Sequence, residues 1–181
     1  ASDTGGYRHP PPNREVRLRR LEANAVMPPM EVGDSSSQTP WEFTPENGRD
    51  QAALDTHARY ASLHLRLHPY TWTYAQQIAT TGRPIQRPIG LAYPALAAHP
   101  ADEYALGDSL VVAPVVAAGQ TSRQVLLPPG EWLSWWDGSP QTGTITAPAD
   151  IDTLPLYLAR GAIIPMLRPT IETLSPVTTT S

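Results

Sequence analysis

The chain of 181 residues contains no cysteine and no lysine. The first absence excludes disulfides and thiolate metal sites without fixing a compartment. The second leaves all 13 basic residues as arginine, which reads as coding bias and not as chemistry, and they are scattered. With a formal net charge of −4, there is no basic field for nucleic acid or an anionic membrane surface. Charged residues make up only 17% of the chain, below the roughly 25% usual in globular domains. No apolar run approaches the roughly 20 residues of a membrane span. No G-x-S-x-G, phosphate loop or dinucleotide fingerprint is present. No nucleic-acid partner, membrane partner or cofactor is therefore expected.

What the chain has in excess is proline. There are 21, about twice the usual share of roughly 5%. Such a density is incompatible with a helical bundle and favours short strands, edges and ordered loops. Asn13 is placed to cap a helix running to about Ala23, with Arg14, Arg17 and Arg20 outside and Val16, Leu18 and Leu21 inside. Ala25 to Val32 then reads as a strand end, so strand, helix and strand give a parallel-sheet rhythm. Thr44-Pro45-Glu46 marks a helix entry. A long helix is expected from about Arg49 to Thr80, with Leu54, Ala58, Ala61 and Leu65 as its apolar stripe, widened by Tyr60, Leu63 and Leu67. Pro69 should kink or break it and Gly82 should end it.

Beyond Gly82 the texture changes. Runs at 84–94, 109–116, 123–127, 142–146 and 154–167 are β-rich and punctuated by Gly and Pro. The expected fold class is thus an α/β front followed by an all-β antiparallel sandwich domain. The expected boundaries are 1–82, 83–168 and a poorly ordered Thr/Ser/Pro tail at 169–181.

Candidate chemistry is sparse. Ser2-Asp3-Thr4-Gly5-Gly6-Tyr7 combines a hydroxyl-binding acid, two small backbone positions and an aromatic face, though most Gly-Gly pairs are simply turns. Asp3, Glu31 and Asp34 fall at candidate strand ends, but spacing alone does not pair them as nucleophile and acid. His64 and His68, four apart, could share a metal. Without H-E-x-x-H or an evident acidic third ligand they read as packing or surface residues, and no metal site is expected. Trp132, Trp135 and Trp136 before Asp137-Gly138 could stack sugar rings; alternatively, they are the aromatic strand of a hairpin with an Asp-Gly turn.

In order along the chain, Ser-Asp-Thr-Gly-Gly-Tyr at 2–7, Arg59-Tyr60 to Pro69-Tyr70, Gly82 to Pro88, Leu110 to Val115, Leu127 to Trp132 and Arg160 to Pro165 form six runs. Together they resemble glycoside hydrolase family 31, the α-glucosidase and α-xylosidase family. The resemblance implies a (β/α)8 catalytic barrel, of which this chain would be the incomplete last part, followed by the proximal β-sandwich domain. A whole barrel takes about 250 residues, so the missing N-terminal barrel part of the same parent chain would be a partner. The resemblance also implies a retaining α-glycosidase acting on an oligosaccharide or α-glycoside, whose two catalytic aspartates have no counterpart here; no catalytic residue is assigned. Asp3 would bind sugar at the pocket floor and Tyr7 would line the same pocket. Many members carry a sugar-gripping histidine where Gly33 stands, so that Glu31 or Asp34 would supply its hydrogen bonds, or the specificity would not be ordinary α-glucoside. A non-catalytic carbohydrate-binding or structural β module is the alternative.

Overall fold

The computed structural model describes residues 3–4, 12–31 and 50–175. Helix α1 (Arg14–Ala25) begins at the expected cap: Asn13 Oδ1 accepts the Val16 amide at 2.9 Å, satisfying a donor that the first turn leaves open. Its faces are not as expected. Leu18 and Leu21 are buried, but Val16 is exposed and Arg17 is only 7% exposed. The helix is covered on more than one side, by its neighbour helix and by loops that follow much later in the chain.

The long helix is broken near Pro69, as expected, into α2 (Gln51–Arg66) and α3 (His68–Thr81), joined at Leu67. The break precedes Pro69 because proline has no N–H to donate to the carbonyl four residues back and its ring crowds that carbonyl, whereas in the first turn of α3 neither matters. Asp50 caps α2 by accepting the Ala53 amide at 2.8 Å. Gly82 ends α3 as expected, in the left-handed conformation at φ 66°. The buried stripe of α2 is Ala53, Thr56, Tyr60, Leu63 and, at the junction, Leu67. Tyr60, Leu63 and Leu67, expected to widen the stripe, are buried, while Leu54, Ala61 and Leu65 are half-buried and Ala58 is exposed. The 3-4-3-4 spacing centres on Tyr60, the bulkiest side chain available, which is fully buried. The expected helix entry at 44–46 lies outside the described residues.

The rear is antiparallel throughout. Strands β1 (Gln86–Pro88), β2 (Tyr104–Leu106), β3 (Leu110–Val112), β5 (Trp132–Ser134), β6 (Pro140–Gln141) and β8 (Leu156–Ala159) form one sheet, in the order β1-β2-β3-β8-β5-β6. Strands β4 (Ser122–Leu126) and β7 (Thr144–Pro148) form a second, two-stranded sheet. A short helix, α4 (Ile89–Ala92), replaces the middle of the β run expected at 84–94. The large sheet is buried on both faces at its centre. Leu110, Val112 and Leu156 belong to a core shared with α1, α2 and α3, while Val111 and Tyr157 point the opposite way into a core with Val125, Leu127, Trp132 and Ala147. The strand period of two thus builds three layers: helices, large sheet, small sheet.

Candidate functional site

Asp3 and Glu31 are joined by an isolated parallel bridge, with the Thr4 amide donating to the Glu31 carbonyl at 2.8 Å. Helix α1 lies between them in sequence. This single bridge is all the parallel pairing among the described residues. Thr4 turns inward, its Oγ1 accepting from Asn24 Nδ2 at 3.0 Å, which ties the Asp3 strand end to the last turn of α1. Asp3 is left half-buried and Glu31 exposed. Two of the four candidate binders therefore meet. The other two, Tyr7 and Asp34, lie outside the described residues, as does Gly33.

The histidines do not converge. His64 Nδ1 faces the Ala25 carbonyl at 3.1 Å, and burial holds its pKa below the ordinary histidine value. His68 falls beyond the helix break and stacks on Trp72. Among the described residues no cluster of three or more His, Asp or Glu could hold a metal.

Of the tryptophans, Trp132 is 3% exposed in the core between the two sheets and donates its indole N–H to Pro128 O at 2.9 Å. It has no face to offer a sugar. The β5–β6 hairpin is as expected, with Asp137 Oδ1 accepting the Ser139 amide and hydroxyl. Hydrogen bonds from Ser134 and Ser139 hold the Asp137 carboxyl below the usual carboxylate range. Trp136 remains at the surface, against Arg59 and Tyr60.

The remaining motif runs join helices to sheet. Tyr60 Oη donates to Asp152 O at 3.0 Å and accepts the Leu154 amide at 2.8 Å. Tyr70 Oη donates to Leu106 O at 2.7 Å and accepts the Ser109 amide at 3.1 Å. Buried Arg87 donates to Pro84 O at 2.8 Å and pairs with Asp108. Arg160 pairs with Glu131 at 2.9 Å on the surface.

One buried ion pair, between residues three apart on α1, had no sequence signal, because the carbonyls that enclose it are remote in the chain. Arg19 reaches Glu22 at 3.2 Å and also donates to the carbonyls of Asp150, Gln120 and Ala149 at 2.8, 2.9 and 2.7 Å. Burial pushes the Glu22 carboxyl from 4.5 up to about 7, against the pull of Arg19. Its second oxygen, Oε1, has no hydrogen-bond partner among the described residues. A carboxyl whose folded pKa exceeds its unfolded value favours folding at low pH. Its contribution is complete below 4.5 and is lost as pH rises through about 7. Burial raises Glu103 in the same direction. Glu22→Gln should therefore gain roughly 1–3 kcal/mol on the wild type at about pH 8 relative to about pH 5. Urea midpoints across that range measure the slope; equal slopes in the two proteins would contradict this reading of Glu22.

Residues 82–164 match the model of the glycosyl hydrolase family 31 C-terminal domain. The chain is 30% identical over 176 residues to an isomaltosyltransferase of Sporosarcina globispora, covering 91% of this chain and 16% of that protein. It is 31% identical over 167 residues to a 1,3-alpha-isomaltosidase of Kribbella flavida, covering 86% of this chain and 23% of that one. Among solved structures, the cycloalternan-forming enzyme of Listeria monocytogenes, in complex with a pentasaccharide substrate, superposes with a TM-score of 0.80 at 36% identity. That match covers 91% of this chain and 16% of the enzyme. The chain thus spans about a sixth to a quarter of the length of these relatives.

Proposed function

Because the chain belongs to glycosyl hydrolase family 31, we propose that it is the C-terminal end of the catalytic barrel (1–82) and the adjoining β domain (83–168) of a retaining α-glycosidase. The parent protein would hydrolyse or transfer α-linked glucosyl or xylosyl units. The observation that carries this reading is likeness over 91% of the chain to proteins whose names specify isomaltosyl transfer and cycloalternan formation.

In the retaining reaction, one carboxylate attacks the anomeric carbon while an acid protonates the departing oxygen. Water, deprotonated by the same residue, then displaces the enzyme carboxylate and restores the anomeric configuration. Both catalytic groups would come from barrel strands outside this chain. Asp3, Tyr7, Glu31 and Asp34 bind the sugar in this reading. A carboxylate at a barrel strand end accepts hydrogen bonds from sugar hydroxyls, and the bridge between Asp3 and Glu31 holds two such strand ends side by side. The missing barrel strands and an α-glycoside are the partners.

In the protein that carries this chain, Asp3→Asn should lower kcat/KM for an aryl α-glucoside by roughly tenfold to a hundredfold, the worth of a hydrogen bond to a charged group. The thermal midpoint should hold. Unchanged kcat/KM would remove Asp3 from the pocket.

A further inference from the structure

Trp136 is the common wall of two surface depressions. One, of about 390 Å³, lies between α2 and the hairpin and is lined by Arg59, Ser62, Arg66, Trp135, Trp136 and Met166. The other, of about 250 Å³, lies on the hairpin side, where Trp136 is joined by Asp137, Ser139, Gln141 and Tyr157. Both are remote in sequence from the Asp3–Glu31 bridge, and neither includes it.

The indole between them is fixed yet wet. Its N–H donates to Leu154 O at 2.7 Å, its ring meets Tyr60 edge-on at 5.9 Å, and the Arg59 guanidinium lies 5.1 Å from its centroid. Even so, 37% of the residue is exposed. A ring held in place from three directions loses little freedom when a ligand arrives, which lowers the entropic cost of binding.

The surrounding chemistry selects the ligand. Ser62, Ser139, Gln141 and Asp137 offer hydroxyl, carboxamide and carboxylate groups, which suit a ligand that both donates and accepts many hydrogen bonds. Arg59 is already committed to Asp152, and Arg66 donates to Leu167 O, so the depressions are not a phosphate cradle. A pyranose fits: its C–H face packs on an indole while its hydroxyls engage the polar rim. We propose that the paired depressions flanking Trp136 form a non-catalytic binding site for a neutral oligosaccharide, with one sugar ring against the indole and its neighbours extending along Ser62 and Ser139. Only the ligand class rests on the family reading; the location rests on the residues themselves.

The test uses the 181-residue chain, labelled with nitrogen-15, and isomaltotriose as the probe. The indole N–H resonance of Trp136, assigned through Trp136→Phe, should shift and saturate with a dissociation constant of about 1 mM. That of buried Trp132 should stay. The backbone amides of Ser62 and Ser139 should shift with it, and Trp136→Ala should abolish those two shifts. Should that variant unfold, Ser62→Trp decides the matter, because it fills the first depression from an exposed helix position and should weaken binding at least tenfold with the thermal midpoint unchanged. No saturable shift up to about 50 mM, or saturation unaltered in Ser62→Trp, overturns the proposal. Because no step depends on turnover, a flat titration leaves the glycosidase reading standing, and an inert Asp3→Asn leaves this site standing.

Discussion

Arg19→Ala should destabilise the chain by about 3–5 kcal/mol, the range for breaking a buried ion pair on one side only. The guanidinium makes α1 part of the β domain. Its three backbone acceptors belong to Gln120, just before β4, and to Ala149 and Asp150, just after β7. Removing it leaves three carbonyls without that donor and Glu22 buried beside nothing positive at hydrogen-bonding distance. For a chain of this size the loss corresponds to a drop of about 10 °C or more in the thermal midpoint. Adding Glu22→Gln should recover part of it, because the stranded charge is then gone. Equal midpoints for the single and double variants at neutral pH would show that the carbonyls, and not Glu22, carry the cost. A wild-type midpoint for Arg19→Ala would remove the clip altogether.

Gly107→Ala should cost about 3 kcal/mol or more through two separate effects. The backbone at Gly107 has φ 61°, where any other residue pays roughly 1–2 kcal/mol. A methyl group there would also lie 2.5 Å from Tyr70 Oη and 2.7 Å from Tyr74 Cζ. Overpacking of this kind costs about 1–3 kcal/mol. Tyr70 cannot retreat freely, since its hydroxyl bridges the Leu106 carbonyl and the Ser109 amide on either side of the turn. Tyr74 is half-buried and can yield. Tyr74→Ala in the Gly107→Ala background should therefore restore part of the loss in urea midpoints. If the pair adds up as independent losses, the clash with Tyr74 is not the cause.

Features written in local sequence were legible, and features that depend on distant partners were not. Asn13 and Gly82 cap helices through bonds spanning three or four residues, so composition alone revealed them. The hairpin at Asp137-Gly138 was legible for the same reason. Strand β2 escaped because Tyr104, Ala105 and Leu106 are all buried, which erases the alternation that marks a strand. Arg17 read as a solvent-facing charge and Arg19 drew no reading, because nothing nearby announces that Arg19 has acceptors more than a hundred residues later. In the candidate site, Asp3 and Glu31 were visible as strand-end acids, and their pairing across α1 follows the strand–helix–strand rhythm. The setting of Trp136 was not visible, because Arg59 and Tyr60 reach it from another element.

The central claim is that this chain supplies sugar-binding walls and a β domain to a retaining enzyme whose catalytic carboxylates lie elsewhere. It is tested most directly by the anomeric proton spectrum of glucose released from p-nitrophenyl α-glucoside. The protein that carries this chain should release α-glucose first, with the β anomer appearing only as mutarotation proceeds, and the 181 residues alone should release none. Initial release of β-glucose, or release of either anomer by the 181 residues alone, would contradict the account.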